Sequence, residues 1–293
     1  MFIATLIAAR RLSSGDISAA EDALRSAGIE PMGRSWVEPD TACDLLFSAS
    51  PATARLALDG VTPGIDFIVQ GEAGRRKRLL VADMDSTMIG VECIDELADY
   101  AGIKAEVAAI TERAMRGELD FEAALRERVA LLAGLEEAAI ERCFVERVRV
   151  TPGAKALVRT MRREGGYCLL VSGGFSHFAN RVAGDIGFDR AISNALGIKK
   201  GLLSGDVDRP IVGSEAKRKA LLDEAATRGV DLAESLAVGD GANDIPMLEA
   251  AGLGVAYHAK PKVAEAADAR IDYGDLGALL FAQGYPCSDW EKD

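Results

Sequence analysis

Apolar residues near the start of the chain recur with two different periods. Four short apolar segments indicate strands, at residues 1–9, 35–37, 43–49 and 65–70. Two further segments have helical spacing, at residues 17–27 and 51–60. The order β-α-β-β-α-β is that of a split βαβ sheet. We therefore expect a small α+β domain over residues 1–72.

The pattern changes after this domain. Residues 71–78, GEAGRRKR, carry four basic residues and no apolar run, which is typical of a linker or an exposed loop. Three short, continuous apolar runs then indicate buried strands of a parallel sheet: LLVA at 79–82, CLLV at 168–171 and LAVG at 236–239. The sequence therefore predicts an α/β domain with a Rossmann-like parallel sheet from residue 79 onward.

A long segment of mostly helical spacing separates the first two of these strands. Its candidate helices are residues 94–100, 103–115, 121–132 and 136–145. This segment is too long for one crossover helix between parallel strands, which needs only about a dozen residues. We expect a helical cap insertion at about residues 90–152 that covers the ends of the strands.

The composition narrows the class of protein. Hydrophobic residues make up 49% of the 293 positions and aromatic residues 5%, which favours a helix-rich or α/β protein over a β-sandwich. The net charge of −12 argues against a nucleic-acid partner, and the basic cluster at 71–78 is too small to reverse this. The five cysteines form no CxxC motif, and no apolar run reaches the roughly 18 residues of a membrane span. We expect a cytoplasmic protein with reduced thiols and no membrane partner.

Polar motifs follow each of the three predicted parallel strands. DMDST begins at Asp83, SGG begins at Ser172, and DGAND begins at Asp240. Because the carboxyl ends of parallel strands meet at one edge of a sheet, we expect one site there. The two aspartates of DMDST repel each other unless a cation such as Mg²⁺ lies between them. The hydroxyl and N–H groups of SGG are suited to phosphate oxygens.

Each motif also has a purely structural explanation when it is taken alone. DMDST can be a solvated pair of aspartates, SGG an ordinary glycine turn, and DGAND a helix N-cap formed by Asp240 or Asn243. Lys217, in SEAKRKALL, has the pattern of a solvated lysine near a helix start. The combination of the motifs, in this order, is far more specific than any one of them.

Taken together, DMDST, SGG, Lys217 and DGAND resemble the haloacid-dehalogenase superfamily of phosphotransferases. The segments GVECIDELADYAG and AMRGELDFEAALRERVALL, within the predicted cap, resemble the cap of the phosphoserine phosphatase family in that superfamily. The resemblance covers about residues 79–285, which we expect to form the phosphatase domain. Residues 1–72 resemble the amino-acid-binding modules called ACT domains, and this domain order resembles the longer bacterial form of the family.

The resemblance implies roles for the acidic residues. Asp83 is the expected nucleophile, which forms an aspartyl-phosphate, and Asp85 the expected general acid and base. Mg²⁺ is expected to bind the carboxylate of Asp83, the backbone carbonyl of Asp85 and Asp240. Asp244 is expected to orient the metal waters and Lys217. We also expect a raised pKa for Asp85, caused by neighbouring carboxylates.

The resemblance also implies how substrate is bound. The phosphoryl oxygens are expected to contact Ser172, the N–H of Gly173, Lys217 and Asn243, with Lys219 as the substitute for Lys217. The substrate ammonium is expected to pair with Glu92 and the carboxylate with Arg128, while Met115 and Phe121 exclude water. The implied reaction is hydrolysis of O-phospho-L-serine to L-serine and phosphate, the last step of serine biosynthesis.

Several alternatives stay open at this point. A related phosphatase for another small phosphomonoester, such as a sugar phosphate, would need a different pair in place of Glu92 and Arg128. A signalling receiver phosphorylated on Asp83 would lack the helical insertion, and an inert regulatory protein would not need the complete set of motifs. The N-terminal domain could bind an amino acid, mediate a homodimer or only stabilise the chain.

Overall fold

The computed structural model describes residues 1–115 and 118–291, without the side chain of Met115. The N-terminal elements are β1 (Phe2–Ala8), α1 (Ser14–Ser26), β2 (Gly33–Glu38), β3 (Ala42–Phe47), α2 (Pro51–Leu58) and β4 (Ile65–Gly71). They follow the predicted order. Helix α1 begins three residues earlier than predicted, because Ser13 and Asp16 form a capping box at its start.

The N-terminal sheet is antiparallel, in the order β2-β3-β1-β4, and both of its faces are covered. One face packs on α1 and α2 through a core that includes Leu6, Leu45 and Leu24. On the other face, Ile7 and Ile68 belong to the core of the larger domain. The predicted α+β domain is therefore present, while its exact bounds stay a prediction.

The larger domain contains a six-stranded parallel sheet in the order β12-β11-β10-β5-β6-β7. Its strands are β5 (Leu79–Ala82), β6 (Tyr167–Phe175), β7 (Arg190–Asn194), β10 (Ser235–Gly239), β11 (Leu253–Tyr257) and β12 (Ala269–Ile271). Helices on its two faces include α7 (Ala154–Arg163), α8 (Ser176–Ile186), α9 (Ser214–Arg228), α10 (Ile245–Ala250), α11 (Pro261–Ala266) and α12 (Ala278–Ala282). This confirms the predicted Rossmann-like α/β fold.

The three strands predicted from apolar runs lie next to one another at the centre of this sheet. In the ladder, Leu79 of β5 pairs with Ser235 of β10 on one side and with Tyr167 of β6 on the other. Alternate residues face opposite sides, so Leu80 belongs to one core cluster and Val81 to the other. All three motif-bearing strand ends therefore meet at one edge.

The helical insertion contains α3 (Cys93–Ala101), α4 (Lys104–Met115), α5 (Phe121–Leu131) and α6 (Ala138–Arg147), which match the four predicted helices. An antiparallel hairpin that the sequence did not predict, β8 (Leu196–Lys199) and β9 (Leu202–Val207), adds to it. Leu203 accepts a hydrogen bond from the N–H of Gly134 at 2.9 Å and donates to the carbonyl of Leu135 at 2.8 Å. The cap is therefore a helical bundle with a hairpin attached from a distant part of the chain.

Buried polar contacts join the two domains. Asp66 of β4 accepts hydrogen bonds from the backbone N–H groups of Asp272, Tyr273 and Gly274 at 2.8–3.2 Å. Arg75 makes a two-point contact with Asp44 at 2.6 and 3.1 Å. It also donates to the backbone carbonyls of Phe281 and Ala282 in the last turn of α12. Residues 72–78 form a loop, close to the predicted 71–78, because Gly71 still belongs to β4, and Arg75 anchors this loop.

Among the helices of the described residues, none combines the length and the apolar character that crossing a bilayer requires.

Candidate active site

The DMDST segment leaves the sheet as a tight turn. The N–H of Asp83 still bonds to the carbonyl of Val238 in β10 at 3.0 Å, which continues the sheet up to this residue. Ser86 adopts a left-handed backbone conformation, with φ of 53°, and its N–H returns to the carbonyl of Val91. The turn keeps both Asp83 and Asp85 at the cavity beyond the strand ends.

A buried lysine lies at the centre of the site. Lys217 Nζ is 2.7 Å from an oxygen of Asp83 and 2.7 Å from an oxygen of Asp244, and its side chain is 0% exposed. Burial lowers the pKa of Lys217, but the carboxylates of Asp244 and Asp83 outweigh burial and raise it. Lys217 therefore carries a positive charge. Lys219, the substitute considered from sequence, lies on the surface and pairs with Asp223.

Three carboxylates form a cluster beside this lysine. Ligand oxygens of Asp83, Asp240 and Asp244 lie within 4.8 Å of one another. Burial, followed by repulsion from Asp244, raises the pKa of Asp83 well above its usual value and that of Asp240 to about 7. One lysine cannot neutralise three carboxylates, and carboxylate oxygens are what hard divalent cations bind. The donor set and its excess negative charge therefore fit a divalent metal ion.

The contacts within the cluster distinguish its members. Both oxygens of Asp244 are engaged, by Lys217 and by the N–H of Gly241 at 3.0 Å. Asp240 accepts one hydrogen bond from the hydroxyl of Thr87 at 3.2 Å. These contacts are compatible with Asp240 as a metal ligand and Asp244 as a residue that orients Lys217, and both roles stay predictions.

Asp85 lies on the cavity side of the turn. Its carboxylate accepts the N–H of Cys93 at 3.3 Å. Burial, followed by repulsion from Glu92, raises the pKa of Asp85 to about 7. The pKa of Asp85 is raised, as expected. Burial, however, contributes more to this rise than the neighbouring carboxylate, which was the expected cause.

The SGG segment approaches Asp85 from the end of β6. Ser172 Oγ accepts a hydrogen bond from the N–H of Gly174 at 2.9 Å. A methyl group at Gly174 would lie 2.6 Å from an oxygen of Asp85, so only glycine allows this approach. One at Gly173 would lie 3.0 Å from the Phe121 ring, which packs over the segment from α5.

The cap closes a cavity of about 100 Å³ over these groups. The cavity is lined by Asp83, Asp85, Glu92, Ile94, Phe121, Leu125, Arg128, Ser172, Gly173, Gly174, Phe175, Asp240, Gly241 and Asn243. Arg128 is held by the carbonyl of Ala124 and the hydroxyl of Thr111, at 3.3 and 3.5 Å. Burial lowers the pKa of Arg128, and the carboxylates of Asp95, Glu92 and Asp85 oppose this. The cavity therefore holds a cation on one helix of the cap and the Glu92 carboxylate at the start of another.

The predicted site residues that the structure describes all lie together at this site. The side chain of Met115, which was also predicted, lies outside the described part of the chain. Sequence reasoning missed Ser86, whose hydroxyl donates to Glu92 at 2.7 Å, and Thr87, which bonds to Asp240. Both belong to the DMDST motif, so a more detailed use of that motif would have found them. It also missed the apolar residues Ile94 and Leu125, which have the spacing of ordinary helix core.

Comparisons with known proteins agree with this geometry. A family model described as haloacid dehalogenase-like hydrolase matches residues 80–249. A phosphoserine phosphatase of Albidiferax ferrireducens is 48% identical over 229 residues, which are 75% of this chain and 96% of that protein. A solved structure of a probable phosphoserine phosphatase from Vibrio cholerae is 33% identical, with a TM-score of 0.78 over 97% of this chain and 86% of that one. A solved structure of a HAD family hydrolase from Salmonella enterica is 29% identical, with a TM-score of 0.83 over 96% of this chain and 98% of that one.

The carboxylate cluster predicts the effect of one substitution on metal binding. Asp240→Asn removes a charged oxygen donor, so we expect the affinity for Mn²⁺, used as a divalent probe and followed by electron paramagnetic resonance, to fall at least about 10-fold. Asp231→Asn, at the opposite end of β10, serves as the control and should leave the affinity unchanged. Equal Mn²⁺ affinity in wild type and Asp240→Asn would contradict the assignment of the cluster.

Proposed function

The chain belongs to the haloacid dehalogenase-like hydrolases, and within that family we infer that it is a phosphoserine phosphatase. The reaction is hydrolysis of O-phospho-L-serine to L-serine and inorganic phosphate. Relatives with that name, up to 50% identical to this chain, support the inference. The observation that carries it is a single cavity that contains Asp83, Asp85, the SGG segment and the cap residues Glu92 and Arg128.

We propose Asp83 as the nucleophile. Its carboxylate oxygen attacks phosphorus, the bond from phosphorus to the seryl oxygen breaks, and an aspartyl-phosphate forms. Attack requires the ionised carboxylate, which burial disfavours and the Lys217 ammonium at 2.7 Å favours. Mg²⁺, held by Asp83, Asp240 and the backbone carbonyl of Asp85, would supply further positive charge to these carboxylates and to the phosphoryl oxygens.

Asp85 is suited to move the proton in both half-reactions. With its pKa raised to about 7, a protonated fraction is present near neutral pH. In the first half-reaction Asp85 gives its proton to the departing seryl oxygen. In the second, ionised Asp85 takes a proton from the water that attacks the aspartyl-phosphate, and Asp83 is regenerated.

Hydrogen-bond donors around the cavity are suited to hold the phosphoryl group. The proposed donors are the Ser172 hydroxyl, the Gly173 N–H, the Lys217 ammonium and the Asn243 amide. Ser172 Oγ already accepts the Gly174 N–H, so its own proton is left for a phosphoryl oxygen. Such positioning and charge stabilisation supply most of the catalysis in phosphoryl transfer.

The cap supplies a pair of opposite charges that suits an amino acid. Glu92 is aimed by the hydroxyl of Ser86 and would pair with the substrate ammonium. Arg128 would bind the substrate carboxylate through its planar guanidinium. A sugar phosphate offers hydroxyls but neither an ammonium for Glu92 nor a carboxylate for Arg128, and the half-buried Arg128 would then lack a charged partner. Phe121 and the apolar residues Ile94 and Leu125 exclude water from the cavity.

Four further properties of this protein are predictions from its sequence. The bounds of the two domains, a cytoplasmic location, a homodimer and amino-acid binding by residues 1–72 all stay predictions.

The proposed function is tested by phosphate release from L-phosphoserine. We expect Mg²⁺-dependent release that EDTA abolishes and that exceeds release from a sugar phosphate. Asp83→Asn should reduce kcat on the order of 1,000-fold or more, because the nucleophile is lost. Asp223→Asn, an exposed carboxylate on α9, should leave kcat unchanged. Full activity in Asp83→Asn would overturn the mechanism, and preference for the sugar phosphate would overturn the roles of Glu92 and Arg128.

Substrate selectivity is tested with two truncated substrates. Phosphoethanolamine lacks the carboxylate of phosphoserine, and 3-phosphonooxypropanoate lacks the ammonium. Arg128→Lys should lower the preference for phosphoserine over phosphoethanolamine, and Glu92→Gln its preference over 3-phosphonooxypropanoate. We expect each loss to be about 10- to 100-fold in kcat/KM, because a hydrogen bond to a charged group contributes roughly 1.5–3 kcal/mol. Arg126→Lys is the matched control, because Arg126 lies on the same helix but pairs with Glu122 and does not line the cavity. Unchanged ratios would reject the pair.

The pKa of Asp85 predicts a pH dependence. The protonated form, which acts as the general acid, is present below that pKa and is lost as pH rises through it. A cation bound nearby favours the ionised form, so kcat/KM should fall with rising pH around a midpoint at or below about 7. Glu92→Gln removes a negative neighbour and should move this midpoint to lower pH. A midpoint that moves upward would contradict the assignment.

A further inference from the structure

Asn194 is a buried amide beside the site that the mechanism above does not use. It is the last residue of β7, at the edge of the parallel sheet, and its side chain is 1% exposed. Its Nδ2 donates to the carbonyl of Gly173 at 2.8 Å and to that of Val212 at 3.3 Å. Its Oδ1 accepts the N–H of Val212 at 2.7 Å. One side chain thus joins the end of β6 to the segment before α9, almost forty positions apart in sequence.

The first of these two segments is SGG, at the end of β6. The carbonyl of Gly173 and the N–H of Gly174 belong to the same peptide group. Asn194 holds that carbonyl, and Ser172 Oγ holds that N–H at 2.9 Å. The peptide plane is therefore fixed from both ends. Its hydrogen bond to Ser172 Oγ restrains the Ser172 hydroxyl, and its attachment at Gly173 restrains the adjoining peptide group that carries the Gly173 N–H.

The second segment leads into α9. Val212 precedes Gly213, whose carbonyl accepts the N–H of Lys217 at 3.0 Å in the first turn of the helix. The ring of Phe121 packs against Gly213 as well as against Gly173. A fixed Val212 therefore fixes the start of the helix that delivers Lys217 to Asp83.

We propose that Asn194 is a positioning residue for the phosphoryl-transfer step, which holds the Ser172–Gly173 donors in register with Lys217. This rests on the proposed function of the site. Asn194 lines no part of the cavity, so it acts through Gly173 and Val212 rather than on substrate. Its effect should appear in kcat, because Glu92 and Arg128, the proposed contacts for the rest of the substrate, are untouched.

The first test compares two buried amides. Asn194→Ala should lower kcat about 10- to 100-fold with little change in KM, as expected when reacting groups are slightly misplaced. Gln283→Ala is the matched control. Gln283 is also fully buried and bonds to the Lys77 N–H and the Leu279 carbonyl, at the domain interface. It should cost stability, measured by urea unfolding, without that loss of kcat.

A second variant separates positioning from simple destabilisation and also serves if Asn194→Ala does not fold. Asn194→Asp keeps the acceptor for the Val212 N–H, but an ionised carboxylate cannot donate to the Gly173 carbonyl. Its protonated form can donate. The ratio of its kcat to that of wild type should therefore rise as pH falls, and the circular dichroism spectrum should be constant over that range.

The outcomes separate the two inferences. Wild type without phosphoserine turnover would refute the proposed function, and the ratios would then be measured on the phosphomonoester that wild type hydrolyses fastest. An active wild type, combined with a pH-independent ratio for Asn194→Asp, would refute the role of Asn194 alone. So would a loss of kcat in Asn194→Ala no larger than that in Gln283→Ala.

Discussion

The buried contact of Lys217 with Asp83 and Asp244 is the constraint on which the site depends. A charged lysine with no exposed surface is stable only where carboxylates surround it, and carboxylates at this depth are stable only with positive charge nearby. The three groups lie on different segments, after β5, in α9 and after β10. Their mutual attraction therefore requires those segments to meet, and the parallel order of the sheet allows it.

The remaining features supply what this contact lacks. Burial, followed by repulsion among the carboxylates, raises the pKa values of Asp83 and Asp240, and three carboxylates near one lysine leave excess negative charge that fits a divalent cation. The SGG segment approaches from the opposite side and presents donors but no carboxylate. The cap adds a carboxylate and a guanidinium further out. The cavity thus has an anionic base and a rim that carries one carboxylate and one guanidinium.

The sequence predicted those parts of the fold and the site that have a signal in neighbouring residues. LLVA, CLLV and LAVG are continuous apolar runs, so β5, β6 and β10 and the meeting of their motifs were predicted. The strands β7, β11 and β12 were not predicted, because Arg190, Gly254 and Arg270 interrupt their apolar runs. The β8–β9 hairpin was not predicted because it depends on contacts with Leu135 and Gly134 far away in the chain. Lys217 has no periodic signal of its own, and only the family resemblance distinguished it from Lys219. Asn194 gave no signal at all, since its contacts join the end of β6 to the segment before α9, which the sequence does not place beside it.

Residues 71–78 have the composition of a loop, but their side chains hold the two domains together. Arg75 is tied to Asp44 of the N-terminal sheet and to carbonyls at α12, while Lys77 is buried and donates to the carbonyl of Ala233. Asp66 makes a second attachment to residues 272–274. Together with contacts such as Gln70 to the carbonyl of Ala282 and Arg55 to Asp268, these attachments restrain rotation of the N-terminal domain about its connection. The N-terminal domain is consequently attached directly to the β12 edge of the parallel sheet and to α12, so a change in its structure would act on that edge of the larger domain.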